Sequence, residues 1–378
     1  MPVSRRHFVS ALGLGGAGLL SPPLFGGRGQ EARAAAWLMA PDVPAGLIRL
    51  DSNENPNGPG ARALEAIRAM FGEANRYPGD PERALVAAIA REHGVSEDNV
   101  MLGCGSSEIL RMCVEAFVNT AQHLVTAGPT FELPATFAKT MGRPVVTVPV
   151  DARLRLDLDA MARTAGGAGL IFFCNPNNPT ATVHGDTAVR EFIERVRRDS
   201  PATKILVDEA YHEYVDDPSY RTAIPLALAD PNVIVSRTFS KVYGMAGLRA
   251  GYAIVHADTA RALRGWRLGS GVNVLALAAA TASIGDREHV VLEQRRNREA
   301  KAFTRAFFEK AGYEVGASDT NFLMIDLRRD MRAVREACRK EGVAVGRPFP
   351  PLTTHLRISI GTMEEMQKAT DVLRRVLT

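Results

Sequence analysis

Lysine is scarce in this chain: seven of its 46 basic residues are Lys and the other 39 are Arg. A continuous run of ~20 apolar residues, the length of a membrane-spanning helix, is also lacking. The four cysteines, Cys104, Cys113, Cys174 and Cys338, have no C-x-x-C spacing, and no His/Cys/carboxylate cluster calls for a metal. They read as small buried apolar residues, with a disulfide open only in an oxidising compartment. No Lys-rich tract interleaved with aromatics occurs, which leaves nucleic-acid binding without support. No fixed-period repeat occurs either. What is present is 378 residues, 46% hydrophobic and 23% charged, which excludes collagen-like, disordered and multi-span membrane chains. That length corresponds to two or three domains at ~150 residues each.

The net charge of +4 is unevenly placed. Residues 1–36 hold Arg5, Arg6, Arg28 and Arg33 against the single acid Glu31, so most of the excess basicity lies there. They open Ser4-Arg5-Arg6-His7-Phe8, continue through a Gly/Ala/Leu stretch over 11–20, and reach Ser21-Pro22-Pro23. A charged start, a short weakly apolar stretch and a small-residue site are the parts of an export signal. The Arg pair followed by Phe resembles the twin-arginine signal, which serves proteins exported already folded. A signal over 1–36, cut near Ala34 or Ala36, implies a periplasmic or exported protein with no stable membrane anchor. The remainder is nearly neutral.

An irregular segment, Asp51-Ser52-Asn53-Glu54-Asn55-Pro56-Asn57-Gly58-Pro59, leads into a helix on which Leu64, Ile67 and Met70/Phe71 mark an apolar face. Apolar runs predict strands at 100–102, 124–126, 145–150, 170–173, 205–207, 233–235 and 250–254. Helical patterns fall near 108–117, 188–198 and 259–267. This alternation predicts an α/β fold: a large domain with a mostly parallel sheet sandwiched by helices. From about residue 272 the pattern changes: a long helix over 287–310, strands at 322–325 and 356–360, and helices near 332–340 and from 364. It predicts a smaller α+β C-terminal domain. The expected division is 1–36 signal, 37–60 arm, 61–271 large cofactor-binding domain and 272–378 small domain.

In open α/β sheets, function collects at the carboxyl ends of strands, and four such loops here carry chemistry. Gly103-Cys104-Gly105-Ser106-Ser107-Glu108 joins a strand to a helix, where glycines and a helix N-terminus form a phosphate cradle or simply a capped turn. Asn175-Pro176-Asn177-Asn178-Pro179-Thr180 holds amide side chains in a rigid turn or forms a plain loop. Asp208-Glu209-Ala210-Tyr211 follows a buried strand, where a carboxylate needs a cationic or hydrogen-bonding partner or else caps a helix. Finally, 238–249 flanks Lys241 with Thr238 and Ser240 and ends at Arg249. Lys241 alone among the seven lysines follows a strand in a Ser/Gly-rich apolar setting, where desolvation frees its amine to attack a carbonyl.

Together these groups ask for an aldehyde at Lys241, a protonated ring nitrogen at Asp208 and a phosphate at the Gly/Ser loop and Arg249. Pyridoxal 5′-phosphate has all three. From about Leu50 onward the chain resembles a fold-type-I pyridoxal-phosphate-dependent aminotransferase of the histidinol-phosphate aminotransferase-like branch, with an aspartate-aminotransferase-like fold. The resemblance implies that Lys241 carries the cofactor's Schiff base and that Asp208 pairs with the ring nitrogen. It assigns Tyr211 and Asn178 to the phenolic oxygen, and Phe131, where Tyr is usual, to stacking on the ring. The phosphate falls to Gly105, Ser106, Ser107, Thr238 or Ser240, and Arg249. Tyr77, in Arg76-Tyr77-Pro78, is expected to reach that phosphate across a homodimer interface. Arg357 matches the clamp for a substrate α-carboxylate, and Asn53 and Arg347 are further substrate-binding candidates.

Three departures stand out. Ala181 replaces the usual Gly of N-P-T-G, Asn57 follows Asn53-Glu54-Asn55-Pro56 where an aromatic is common, and the 347–351 run is unusual. The leader also sets this chain apart from cytosolic histidine biosynthesis. The expected activity is amino transfer between an α-amino acid, or a histidinol-phosphate-like amine, and a 2-oxo acid. The alternative is decarboxylation, racemisation or oxidation of an amino acid on the same scaffold. A non-enzymatic ligand carrier would be expected to have lost Lys241 or Asp208, and neither is lost.

Overall fold

The structure, a computed structural model, describes residues 46–378. The expected signal over 1–36 and residues 37–45 of the expected arm lie outside the described residues.

Leu47–Thr378 forms one compact unit. Seven of its strands build the main sheet: β2 (Val100–Cys104), β3 (His123–Gly128), β4 (Val145–Pro149), β5 (Ala168–Cys174), β6 (Lys204–Asp208), β7 (Val233–Thr238) and β8 (Ala250–Val255), in the order β2-β8-β7-β6-β5-β3-β4. Strands β3 to β7 pair in parallel, and β8 runs antiparallel to both β7 and β2. The predicted mostly parallel sheet is therefore present, flanked by helices on both faces. Every residue of β5, β7 and β8 is buried, which is why these strands read as continuous apolar runs rather than alternating ones.

A second core gathers Phe308, Leu323, Ile325, Leu356, Ile358 and Leu373, joined by Leu50 from the start of the unit. Its strands are β1 (Ile48–Leu50), β9 (Glu314–Val315), β10 (Phe322–Asp326), β11 (Val343–Val345) and β12 (His355–Ser359), with β1 parallel to β11 and the order β12-β10-β9 antiparallel. The first core continues through Val272, Ala276, Leu277 and Ile284, past residue 272, because helix Val274–Ser283 packs on helices Ala61–Ala69 and Gly79–His93. The apolar face expected on Ala61–Ala69 is turned inward only in part: Ala63 and Ile67 pack on the first core, whereas Leu64 is 37% exposed and Phe71, just past the helix, 60%.

Register brings the chemical loops together. Cys174 pairs with Asp208 and Asp208 with Ser236, so the carboxyl ends of β5, β6 and β7 lie side by side. Thr238 pairs with Gly251 and Cys104 with Ala250, which sets the Gly105–Ser107 turn against Arg249 at the mouth of β8.

Candidate active site

Lys241 lies just beyond β7, and its Nζ donates to the Asn53 carbonyl at 3.1 Å and sits 5.4 Å from the centre of the Tyr211 ring. Withdrawal from water, reinforced by the positive charge of Arg357, lowers its ammonium to about 8. Two other lysines are also withdrawn from solvent. Lys301 is buried and donates to the Ser318 and Thr320 carbonyls, and Lys204 bonds the Pro231 carbonyl and Asn232 Oδ1. Their amines are fastened to acceptors in the framework, away from the chemical loops.

Asp208 is buried at the tip of β6, where Ser236 Oγ donates to its Oδ1 at 2.8 Å. Burial pushes its carboxyl up to about 6, against the opposing pull of the Ser236 hydroxyl and Lys241. Tyr211 Oη accepts from Asn53 Nδ2 at 3.0 Å, and burial raises its phenol above the ordinary range. Asn178 Oδ1 accepts from Arg357 Nη1 at 2.8 Å, while Arg357 Nη2 donates to the Asp51 carbonyl at 2.5 Å. The buried Arg357 guanidinium lies 4.7 Å from the Phe349 ring and 5.6 Å from Phe322; desolvation lowers it to about 10, so it stays charged at neutral pH.

The anion cradle is assembled around Gly105, which stands at φ +70° before helix Ser106–Phe117. A Cβ there would fall 2.2 Å from Arg249 Nη2, so the absence of a side chain is what lets the guanidinium close over the turn. At Gly251 a Cβ would lie 2.3 Å from the Ser106 backbone N. Arg249 Nη2 reaches Ser107 Oγ at 3.4 Å and Nη1 reaches Ser240 Oγ at 3.5 Å, while Thr238 Oγ1 donates to Ser240 Oγ at 2.9 Å. Thr238, Ser240, Arg249, Gly105, Ser106 and Ser107 thus converge on one helix N-terminus.

Two sequence candidates lie outside the buried cluster around Lys241. Tyr77 is 92% exposed and stands apart from the lysine in this chain. Arg347 is committed to a carboxylate of the protein itself, Glu132 Oε2, at 2.6 Å. Phe131 is half-buried against the helix-side core; its neighbour Thr130 donates to Asn177 Oδ1 and so ties this turn to the Asn-Pro loop. Asn53 is the hub of the site: at φ +54° its N donates to Ser359 Oγ, its Nδ2 to Tyr211, and its carbonyl accepts from both Lys241 and Asn321 Nδ2.

Sequence reasoning missed Asn321 and Ser359, which hold Asn53 from the second core. It also missed Glu209 and Arg237, whose side chains alternate with Asp208, Ser236 and Thr238 along β6 and β7 and so face away from the site. Arg237 donates to Glu209 Oε2 through Nε at 3.0 Å and Nη2 at 2.7 Å, and Glu209 also accepts from Ala223 N and Thr222. The charge of Arg237 holds the Glu209 carboxyl below its usual range despite burial. Strand alternation from Asp208 was the available signal.

All four cysteines are unpaired. Among the described residues no group of three or more His, Cys, Asp or Glu is placed to hold a metal, and no helix is long and apolar enough to cross a membrane. The residues fit pyridoxal phosphate: a desolvated amine, a buried carboxylate for a ring N–H, and a side-chain-free cradle closed by an arginine for the phosphate.

Comparisons with known proteins agree. The family model described as aminotransferase class I and II matches residues 45–373. A histidinol-phosphate aminotransferase of Symbiobacterium thermophilum is 38% identical over 334 residues, spanning 88% of this chain and 91% of that protein. The solved structure of histidinol-phosphate aminotransferase from Sinorhizobium meliloti in complex with pyridoxal-5′-phosphate superposes with a TM-score of 0.83 at 27% identity, covering 94% of this chain and 95% of that one. Aspartate aminotransferase from Thermus thermophilus with maleate shares the fold, with a TM-score of 0.77 at 18% identity and full coverage of both chains.

Proposed function

Because the chain belongs to the class I and II aminotransferases, we propose that it moves the amino group of an α-amino acid, or of a histidinol-phosphate-like amine, to a 2-oxo acid. Its cofactor is pyridoxal 5′-phosphate, which when bound supplies an aldehyde for an amine and a ring that takes up the electrons of a broken Cα–H bond. The observation that carries the substrate side of this reading is that the buried Arg357 guanidinium, bonded to Asn178 and the Asp51 carbonyl, lies near enough to Lys241 for its charge to lower that ammonium.

Arg357 is positioned to hold a substrate α-carboxylate, its guanidinium lying 4.7 Å from the Phe349 ring and braced by Asn178 and the Asp51 carbonyl. Lys241 takes the proton from substrate Cα on Nζ and returns it. With an ammonium at about 8, on the order of a tenth of the amine is free at neutral pH, far more than for an ordinary lysine. Asp208 is mostly ionised at pH 7 and presents its charge to a ring N–H, with Ser236 fixing its orientation. Gly105, Ser107, Ser240 and Arg249 hold the phosphate.

Two further proposals concern context. The exposed Phe71 and Tyr77 support a homodimer in which Tyr77 reaches the partner's phosphate site; sedimentation of the protein and a Tyr77→Phe cofactor titration test this, and an active monomer refutes it. The Arg5-Arg6 leader supports export; Arg5→Lys with Arg6→Lys should hold the protein in the cytosol, and unchanged fractionation refutes it.

The test of function is a panel of amino acids and 2-oxo acids offered to the cofactor-loaded protein. Appearance of a new amino acid only when a 2-oxo acid is present supports amino transfer, whereas carbon dioxide, racemised substrate or peroxide indicates the alternative chemistries. Lys241→Ala should abolish turnover, and retained turnover refutes the assignment.

A further inference from the structure

The substrate clamp Arg357 does not stand alone at the mouth of the site. Its guanidinium carbon lies 4.7 Å from the Phe349 ring, and that of Arg347 lies 4.4 Å from the same ring. Two cations therefore share one aromatic side chain. Arg347 Nη1 is tied to the Pro348 carbonyl, and its Nη2 donates to Glu132 Oε2 at 2.6 Å. Glu132 comes from a different part of the chain, at the head of helix Leu133–Thr140 beside Phe131. The preceding Thr130 is bonded to Asn177, next to the Asn178 that braces Arg357. Glu132 thus places a carboxylate of the protein where two guanidinium groups face an incoming ligand.

The two sides of this pair are unequal. Arg357 is buried and held by two hydrogen bonds, whereas the Arg347 and Glu132 side chains are 36% and 51% exposed. An ion pair exposed to this degree is weak and is open to exchange with a competing anion. Arg347 is held by Phe349 and its own main chain, so its position does not depend on Glu132 alone. Glu132 has no other hydrogen bond from its carboxylate among the described residues.

Resting on the amino-transfer reading above, we propose that Glu132 is a specificity-determining residue that occupies Arg347 when the substrate side chain is uncharged and yields it to the distal carboxylate or phosphate of an acidic substrate. Amino transfer needs one site to take two different acids in turn. With Glu132 in place, an uncharged side chain meets a neutralised pair. With Glu132 displaced, a dicarboxylic amino acid or 2-oxo acid spans Arg357 and Arg347. The exchange moves no bond and needs no co-reactant.

Glu132→Gln removes the competing charge and keeps the size of the side chain. Its KM for glutamate and 2-oxoglutarate should fall roughly 3- to 10-fold, while KM for leucine or phenylalanine changes less than about 2-fold and kcat is unchanged. Arg347→Gln should raise the dicarboxylate KM by about 10-fold or more, well beyond any effect on the uncharged substrates. An equal shift for both classes, or a higher dicarboxylate KM in Glu132→Gln, overturns the proposal. Binding of the unreactive acids glutarate and butyrate to the cofactor-loaded protein reads the same exchange without turnover. Tighter glutarate and unchanged butyrate in Glu132→Gln support Glu132 even if no amino acid reacts, in which case the amino-transfer reading fails instead. Unchanged glutarate binding refutes the role of Glu132.

Discussion

Replacing Gly105 with alanine probes the cradle through a single methyl group. The new Cβ would lie 2.2 Å from Arg249 Nη2 and 2.9 Å from the guanidinium carbon, so the arginine must swing away. The backbone at φ +70° adds a conformational cost of about 1–2 kcal/mol for an L-residue. Losing a charged hydrogen-bonding partner for a phosphate costs about 1.5–3 kcal/mol, equivalent to roughly 10- to 150-fold in affinity. The three atoms nearest the new methyl group all belong to Arg249. Equilibrium titrations of the cofactor-free protein with pyridoxal 5′-phosphate and with pyridoxal, followed by absorbance, separate the two parts of the ligand. Affinity for the phosphorylated form should fall by that factor, with little change for pyridoxal. Equal losses for both ligands, or none for either, would refute the cradle argument.

The buried Asp208 carboxyl, raised from 3.8 to about 6, favours the folded state most below pH 3.8 and loses that contribution as pH rises through about 6. In the cofactor-free protein, Asp208→Asn should therefore be more stable than the parent at pH 8, by up to ~3 kcal/mol, with the gain vanishing near pH 4. Activity should be lost at both values; thermal melts at the two pH values and a turnover assay check this. Glu209→Gln leaves Arg237 charged and buried without its partner, and should cost about 3–5 kcal/mol in denaturant unfolding.

Much of the architecture was legible because β5, β6 and β7 are covered on both faces and write themselves as Leu170-Ile171-Phe172-Phe173, Ile205-Leu206-Val207 and Val233-Ile234-Val235. Helix Val274–Ser283 was not, since it is apolar nearly all round and buried against several neighbours, which leaves no stripe to detect. Helix Ala61–Ala69 matched only in part: Ile67 of the expected face packs within beside the small Ala63, while Leu64 stands outside. In the site, Lys241, Asp208 and Arg249 could be found because local context singles each one out. Asn53 owes its central position to contacts with Tyr211, Lys241, Asn321 and Ser359, all far away in sequence, and to a left-handed backbone that local pattern does not announce. The Arg347–Glu132 pair likewise joins two loops that only the folded chain brings together.

Lys241, and no other lysine, is proposed as the amine that engages the cofactor. Lys204 and Lys301 are also withdrawn from solvent and provide an internal comparison. Borohydride reduction of the cofactor-loaded protein, followed by peptide mass mapping, reads the attachment point directly. A pyridoxyl group should appear on Lys241 alone, and none anywhere in Lys241→Ala. A pyridoxyl group on Lys204, Lys301 or another lysine, or a loaded protein in which Lys241 stays unmodified, would contradict that assignment.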